Sequence, residues 1–157
     1  MPVRASFPSV LTSRATLDDL DALTLLFDGY RVFYGRDSDP GLARAFLQER
    51  LRHDESVIFI ARDATGEACG FTQLYPLFSS VSARRIWLLN DLFVAAAARR
   101  AGVGHALMEC ARAFAKETGA LRLVLETAED NHPAQALYEW LGYVRDAGTR
   151  HYSLDLA

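Results

Sequence analysis

The chain has 157 residues, half of them hydrophobic and 24% charged, which suits one ordinary globular domain (1–157) large enough to bury a core. Its formal charge of −3 gives no electrostatic reason to bind nucleic acid or an anionic membrane. The opening stretch MPVRASFPSVL holds no apolar run long enough for a signal peptide or a membrane span, so a cytoplasmic location is expected.

The stretch SVLTSRAT reads as a first strand, with Thr16 placed to cap a helix and Asp19 in its first turn. Leu17, Leu20, Leu23 and then Leu26 or Phe27 recur at helical spacing. Asp39-Pro40 starts a second helix, a capping residue followed by proline at the first helical position, with Phe46, Leu47 and Leu51 as its buried stripe. SVIFIAR, the turn DATGE and ACGFTQLYPLF form an antiparallel hairpin in which Pro76 marks an edge, a bulge or a strand end. ARRIWLLNDLFV is a long apolar strand, followed by a helix from about Gly102 to Thr118 that Gly119 stops. ALRLVLET reads as a buried strand, HPAQALYEWLGY as a short helix, and RHYSLDL as a closing strand. The order is strand, two helices, three strands, helix, strand, helix, strand. That is an α/β layer fold with a mixed sheet, and too many early strands are consecutive for a doubly wound one.

Cys69 and Cys110 are the only cysteines, in no metal-type or CxxC spacing, and read as two reduced buried thiols. His53, His105, His132 and His151 form no HExxH or paired ligand pattern, so no metal is expected. The stretch ARRAGVGHAL places two arginines and two glycines between a strand and a helix start. A helix N-terminus carries unpaired N–H groups and partial positive charge, and glycine lets a phosphate approach the backbone. Arg99 and Arg100 add forked donors there. The same residues also fit a glycine-eased helix start with two solvated arginines. Neither a P-loop nor the dinucleotide fingerprint matches.

Three stretches in order, LNDLFVAAAARRAGVGHALM, LVLETAEDN and AQALYEWLGY, resemble the GNAT superfamily of acetyl-CoA-dependent N-acetyltransferases. NDLFV also resembles the histone- and polyamine-type branch. The resemblance implies a mixed, mainly antiparallel sheet with two splayed parallel strands, flanked by about four helices. It implies acetyl-CoA as acyl donor, bound at the diphosphate by Arg99, Arg100, Ala101, Gly102, Val103, Gly104 and His105. The backbone of Leu92, Phe93 and Val94 would meet the pantetheine, since only a splayed strand has spare backbone groups. Asn131 and Ala134 would contact the cofactor, although asparagine before a helix is also a common cap.

Tyr138 would protonate the departing thiolate. With reference values near 8.5 for a thiol and 10 for a phenol, full transfer is uphill by roughly 2 kcal/mol, yet a hydrogen bond to the developing charge lowers the barrier. A lysine-like acceptor amine must first lose a proton, at roughly 4.6 kcal/mol at pH 7. Relatives place a glutamate where this chain has Asn90, which can position a water but cannot act as a base. Asp91 would face the opposite side of a regular strand, unless a bulge intervenes. Glu126, Asp130 and His132 are weaker alternatives, so the base stays unassigned. Tyr30, Phe33 and Tyr34 would wall the acceptor pocket or merely pack the end of their helix. The expected reaction is direct attack by a small primary amine in a ternary complex. Rivals are a protein or peptide acetyltransferase and a non-catalytic acyl-CoA-binding module. An exposed closing strand would permit a homodimer.

Overall fold

Local side-chain chemistry decides where the first helices begin. In a computed structural model, which describes residues 9–157, strand β1 (Leu11–Arg14) leads into Thr16. The Thr16 hydroxyl accepts from the Asp18 N–H at 3.2 Å, and Asp19 accepts from the Thr16 N–H at 2.9 Å. This reciprocal cap starts a single 3-10 turn that continues as α1 (Leu20–Phe33). Asp39 likewise caps α2 (Pro40–Arg52), accepting from the Leu42 N–H at 3.0 Å. The α1–α2 connection is tied down by Asp28, which accepts from the Ser38 hydroxyl at 2.6 Å and the Asp39 N–H at 2.8 Å. Those two donors hold its carboxyl below the usual range.

Strands β2 (Val57–Arg62), β3 (Ala68–Ser79) and β4 (Arg84–Val94) form an antiparallel meander. β1 joins its β2 edge, and β5 (Leu123–Val124) runs parallel to β4, giving the order β1-β2-β3-β4-β5. β2 is buried on both faces, so its run VIFIA is apolar without alternation. Ile58 and Ile60 join Leu23, Phe27, Leu47 and Phe71 in a core beneath α1 and α2. Phe59 points the other way and meets Phe114 of α3 (Val103–Glu117) edge-on at 5.5 Å. α3 lies close to the sheet at Gly70, where an added Cβ would sit 2.9 Å from the Phe93 carbonyl and 3.0 Å from Val103.

The described residues divide into two compact units, one ending at Leu125 and the other running from Glu126 to Ala157. The second holds α4 (His132–Trp140), with Pro133 in its first turn and Gly142 just beyond its end. Residues 1–8, part of the stretch read for a leader or membrane span, lie outside the described residues. Among the described residues no helix is long and apolar enough to cross a membrane.

Two expectations need correction. The strand expected over ALRLVLET is reduced to Leu123–Val124, and the closing strand RHYSLDL is not formed. Tyr152, Leu154 and Leu156 alternate as strand residues do, yet each is at least 82% exposed. Alternation supplies a face but no neighbour, and a strand exists only through pairing. Pro76 sits where an edge reading requires: β2 stops pairing with β3 at Leu74, so at Pro76 only β4 lies alongside. Cys69 and Cys110 are free thiols, Cys69 buried as expected but Cys110 only half-buried.

Candidate active site

The register of β3 with β4 runs from Gly70 opposite Val94 to Gln73 opposite Asp91, then resumes with Leu74 opposite Leu89. Asn90 is therefore an extra residue, a β-bulge, and it inverts the faces of β4. Before it, Trp87 packs on Phe114 of α3 at 5.1 Å. After it, Phe93, of the same parity, packs against Tyr30 of α1 at 6.3 Å. Asp91 shares that second face. Asn90 itself is exposed.

Asp91 is only 3% exposed and is surrounded by donors. Gln73 Nε2 donates to it at 2.6 Å and Asn90 Nδ2 at 3.0 Å. The Tyr30 hydroxyl is its third partner. Burial, and then the Asp91 charge, push the Tyr30 phenol far above its ordinary range, so it stays a neutral donor. The same two causes push Tyr75 up to about 12. Tyr30 is also an aromatic anchor, edge-on to Phe71 at 5.9 Å and to Tyr34 at 4.9 Å. The packing foreseen for this ring at the end of its helix is present. Tyr34 is 53% exposed at the end of α1.

The loop after β4 is shaped by its own backbone. Arg99 is extended, Arg100 takes φ +65° and Gly102 φ +80°. A left-handed arginine costs on the order of 1 kcal/mol, which glycine avoids. Arg99 donates through Nε to the Val94 carbonyl at 3.2 Å and lies 5.5 Å over the Phe33 ring. Among the described residues no side-chain cap is made at Gly102, where the positive end of the α3 dipole lies. Ala101 precedes Gly102, Val103 is buried, and Gly104 and His105 lie in the first turn. That arrangement suits a diphosphate. β4 pairs with β5 only at Trp87 with Leu123 and Leu88 with Val124. Beyond Leu88 the ladder on that side ends, alongside the stretch holding Leu92, Phe93 and Val94.

In the second unit Asn131 caps α4, its side chain accepting from the Ala134 N–H at 3.4 Å. Ala134 and Tyr138, four residues apart, share a helix face. Tyr138 is half-buried, with its ring 6.0 Å from that of Tyr143. Burial pushes both cysteine thiols up, which weakens either as a nucleophile. Away from this region, Glu49, His53 and Glu55 are exposed and bring their ligand atoms within 4.8 Å of one another, with Arg50 3.2 Å from Glu55 as a counter-charge.

The first unit thus gathers Tyr30, Gln73 and Asn90 around Asp91, with Tyr34 against Tyr30, and holds Arg99 to His105 at the start of α3. Asp91 is the polar residue whose facing the sequence leaves open between a regular and a bulged strand, and the bulge is what forms; Gln73 is the partner that sequence reasoning missed. A signal existed: the polar pair TQ in β3 and the polar pair ND in β4 interrupt otherwise apolar strands.

A family model described as Acetyltransferase (GNAT) family matches residues 22–143. The chain is 48% identical over 143 residues to the uncharacterized N-acetyltransferase YhfO of Bacillus subtilis (strain 168), covering 91% of this chain and 95% of that protein. It is 34% identical over 139 residues to a probable acetyltransferase of Haemophilus influenzae (strain ATCC 51907 / DSM 11121 / KW20 / Rd), covering 88% and 93%. A crystal structure of a probable acetyltransferase superposes with a TM-score of 0.89 at 44% identity, covering 94% of this chain and 98% of the other.

Proposed function

The chain belongs to the GNAT acetyltransferase family and is an acyltransferase, and from that premise we propose that it moves the acetyl group of acetyl-CoA onto a small primary amine by direct attack in a ternary complex. The observation that carries the cofactor half of this reading is the uncapped start of α3, preceded by the left-handed Arg100 and Gly102. A helix dipole, a glycine-shaped turn and two arginines suit a diphosphate there. Acetyl-CoA supplies the activated acyl carbon and a thiolate leaving group.

Residues 1–157 act in this reading as one N-acetyltransferase domain. Arg99 to His105 bind the diphosphate. The backbone of Leu92, Phe93 and Val94 orients the pantetheine arm, and Asn131 and Ala134 add contacts. Tyr30 and Tyr34 wall the acceptor site, with Asp91 as its fixed negative charge. Asn90, exposed on the bulge, holds the water that carries away the proton of the attacking nitrogen. As the new C–N bond forms and the C–S bond breaks, Tyr138 donates a proton to the sulfur and regains one from solvent. Both cysteines stay out of the chemistry. The reaction takes place in the cytoplasm, and the exposed alternating terminus, Tyr152, Leu154 and Leu156, supports homodimerisation, which sedimentation would register as twice the chain mass.

Mass spectrometry of a mixed pool of polyamines, amino acids and peptides incubated with acetyl-CoA tests the acceptor class. Acetylated small amines support the proposal, and acetylated peptides alone would replace it with protein modification. Tyr138→Phe should lower turnover by about a hundredfold or more, the scale of general acid catalysis, with acetyl-CoA affinity little changed. Undiminished turnover would remove Tyr138 from the mechanism.

A further inference from the structure

Gln73 is fully buried in the middle of β3, a position that an apolar residue fills without desolvating an amide. Its two polar atoms are both engaged. Oε1 accepts from the Ser56 hydroxyl at 2.8 Å, and Nε2 donates to Asp91 Oδ2 at 2.6 Å. Reversing the amide would set two acceptor oxygens face to face across that second distance, so one orientation survives. Ser56 is itself only 5% exposed, on the connection between α2 and β2. Ser56, Gln73 and Asp91 therefore form a buried relay from the connection before β2 through β3 to β4 that ends on a carboxylate with Asn90 and Tyr30 as its other donors.

We propose that Gln73 is a positioning residue: its amide, locked by Ser56, holds the Asp91 carboxylate at the bulge of β4 as the anionic wall that receives the acceptor ammonium. The inference rests on the acceptor site proposed above at Tyr30, Tyr34 and Asp91. Every side-chain partner of the Asp91 carboxylate donates to it, which fixes the position of its oxygens. The titratable groups that feel it are Tyr30 from α1 and Tyr75 from β3, and Tyr34 of the α1 end acts on Tyr30. Arg50 of α2 and Glu55 of the following connection act on Tyr75, and Arg31 of α1 acts on Asp28.

Gln73→Glu replaces the donor with a second carboxylate oxygen against Asp91, and two such groups in contact share a proton at neutral pH. The acceptor KM should rise about tenfold or more at pH 7, as expected when a charge-assisted contact is lost. The acetyl-CoA KM should stay within about twofold, and the defect should shrink as rising pH removes the shared proton. Ser56→Ala frees the amide without adding charge and should raise the acceptor KM about threefold, with no new pH limb. A folded Gln73→Glu protein with an unaltered acceptor KM and pH profile overturns the proposal. Should that variant fail to fold, Ser56→Ala decides, and an unchanged acceptor KM overturns the proposal equally. If the wild-type protein acetylates no amine in the pool, the acceptor reading fails, and carbon-13 carboxyl NMR of Asp91 decides for Gln73. Different titration curves in the wild type and Gln73→Glu would keep the relay, and identical curves would end it.

Discussion

Asn90 and Asp91 owe their geometry to distant partners: Gln73 on β3, Ser56 before β2 and Tyr30 on α1. A few residues further on, Arg99 to Gly102 owe theirs to their own φ angles at the start of α3. The first site is built of side chains brought together by register, the second of backbone bent by local sequence. A backbone-built site tolerates change in its surroundings but not at its glycines. A register-built site fails when any one strand neighbour changes, because each buried donor then loses its acceptor.

The largest effect should come from Asp91→Ala, which strips three donors of their acceptor. It should lower kcat/KM for the amine by about a hundredfold or more and stability by about 3 kcal/mol, while calorimetry records unchanged acetyl-CoA affinity. A parallel loss of cofactor affinity would show that the two regions are not separable. Gly104→Glu tests the other side. Bulk and negative charge in the first turn of α3 should weaken CoA binding about tenfold or more and leave the acceptor KM near its original value. Gly70→Ala strikes the packing beneath both regions, since its Cβ would meet the Phe93 carbonyl and Val103. It should cost about 1–3 kcal/mol in denaturant melts, and an unchanged midpoint would show that α3 can move away from the sheet.

The smallest effect is at alkaline pH. Burial and then Asp91 raise the Tyr75 phenol from its usual 10.0 to about 12, so the folded state keeps its proton where the unfolded chain loses it. This stabilisation is complete below about pH 10 and disappears as pH rises toward 12. Tyr75→Phe should therefore flatten the fall in melting temperature over that interval, and an identical fall in both proteins would mean that the ring does not feel the site.

Much of the fold was legible because it depends on neighbours in the chain. Thr16, Asp39 and Asn131 cap where their types and spacings say they should, and the hairpin of β2 and β3 follows its turn. Gly102, read as the start of the third helix, is the left-handed residue at its N-terminus. The closing strand was not legible, since the alternation of Tyr152, Leu154 and Leu156 says nothing about a pairing edge. Whether Asp91 sat on a regular or a bulged strand stayed open for a related reason. A bulge is an event between two strands, and nothing in NDLFV alone reveals that Gln73 meets Asp91 while Leu74 meets Leu89.

By itself, the order of residues determined the helix starts and stops, the turn of the β2–β3 hairpin and the left-handed Gly102 before α3. Each is an effect of hydrogen-bonding groups and φ preferences within a few residues. Tertiary structure alone decided that Asp91 turns to the α1 side and that Gln73 and Ser56 hold it there. Register inverts a strand's faces with one extra residue, and it is chosen by the pairing of whole strands.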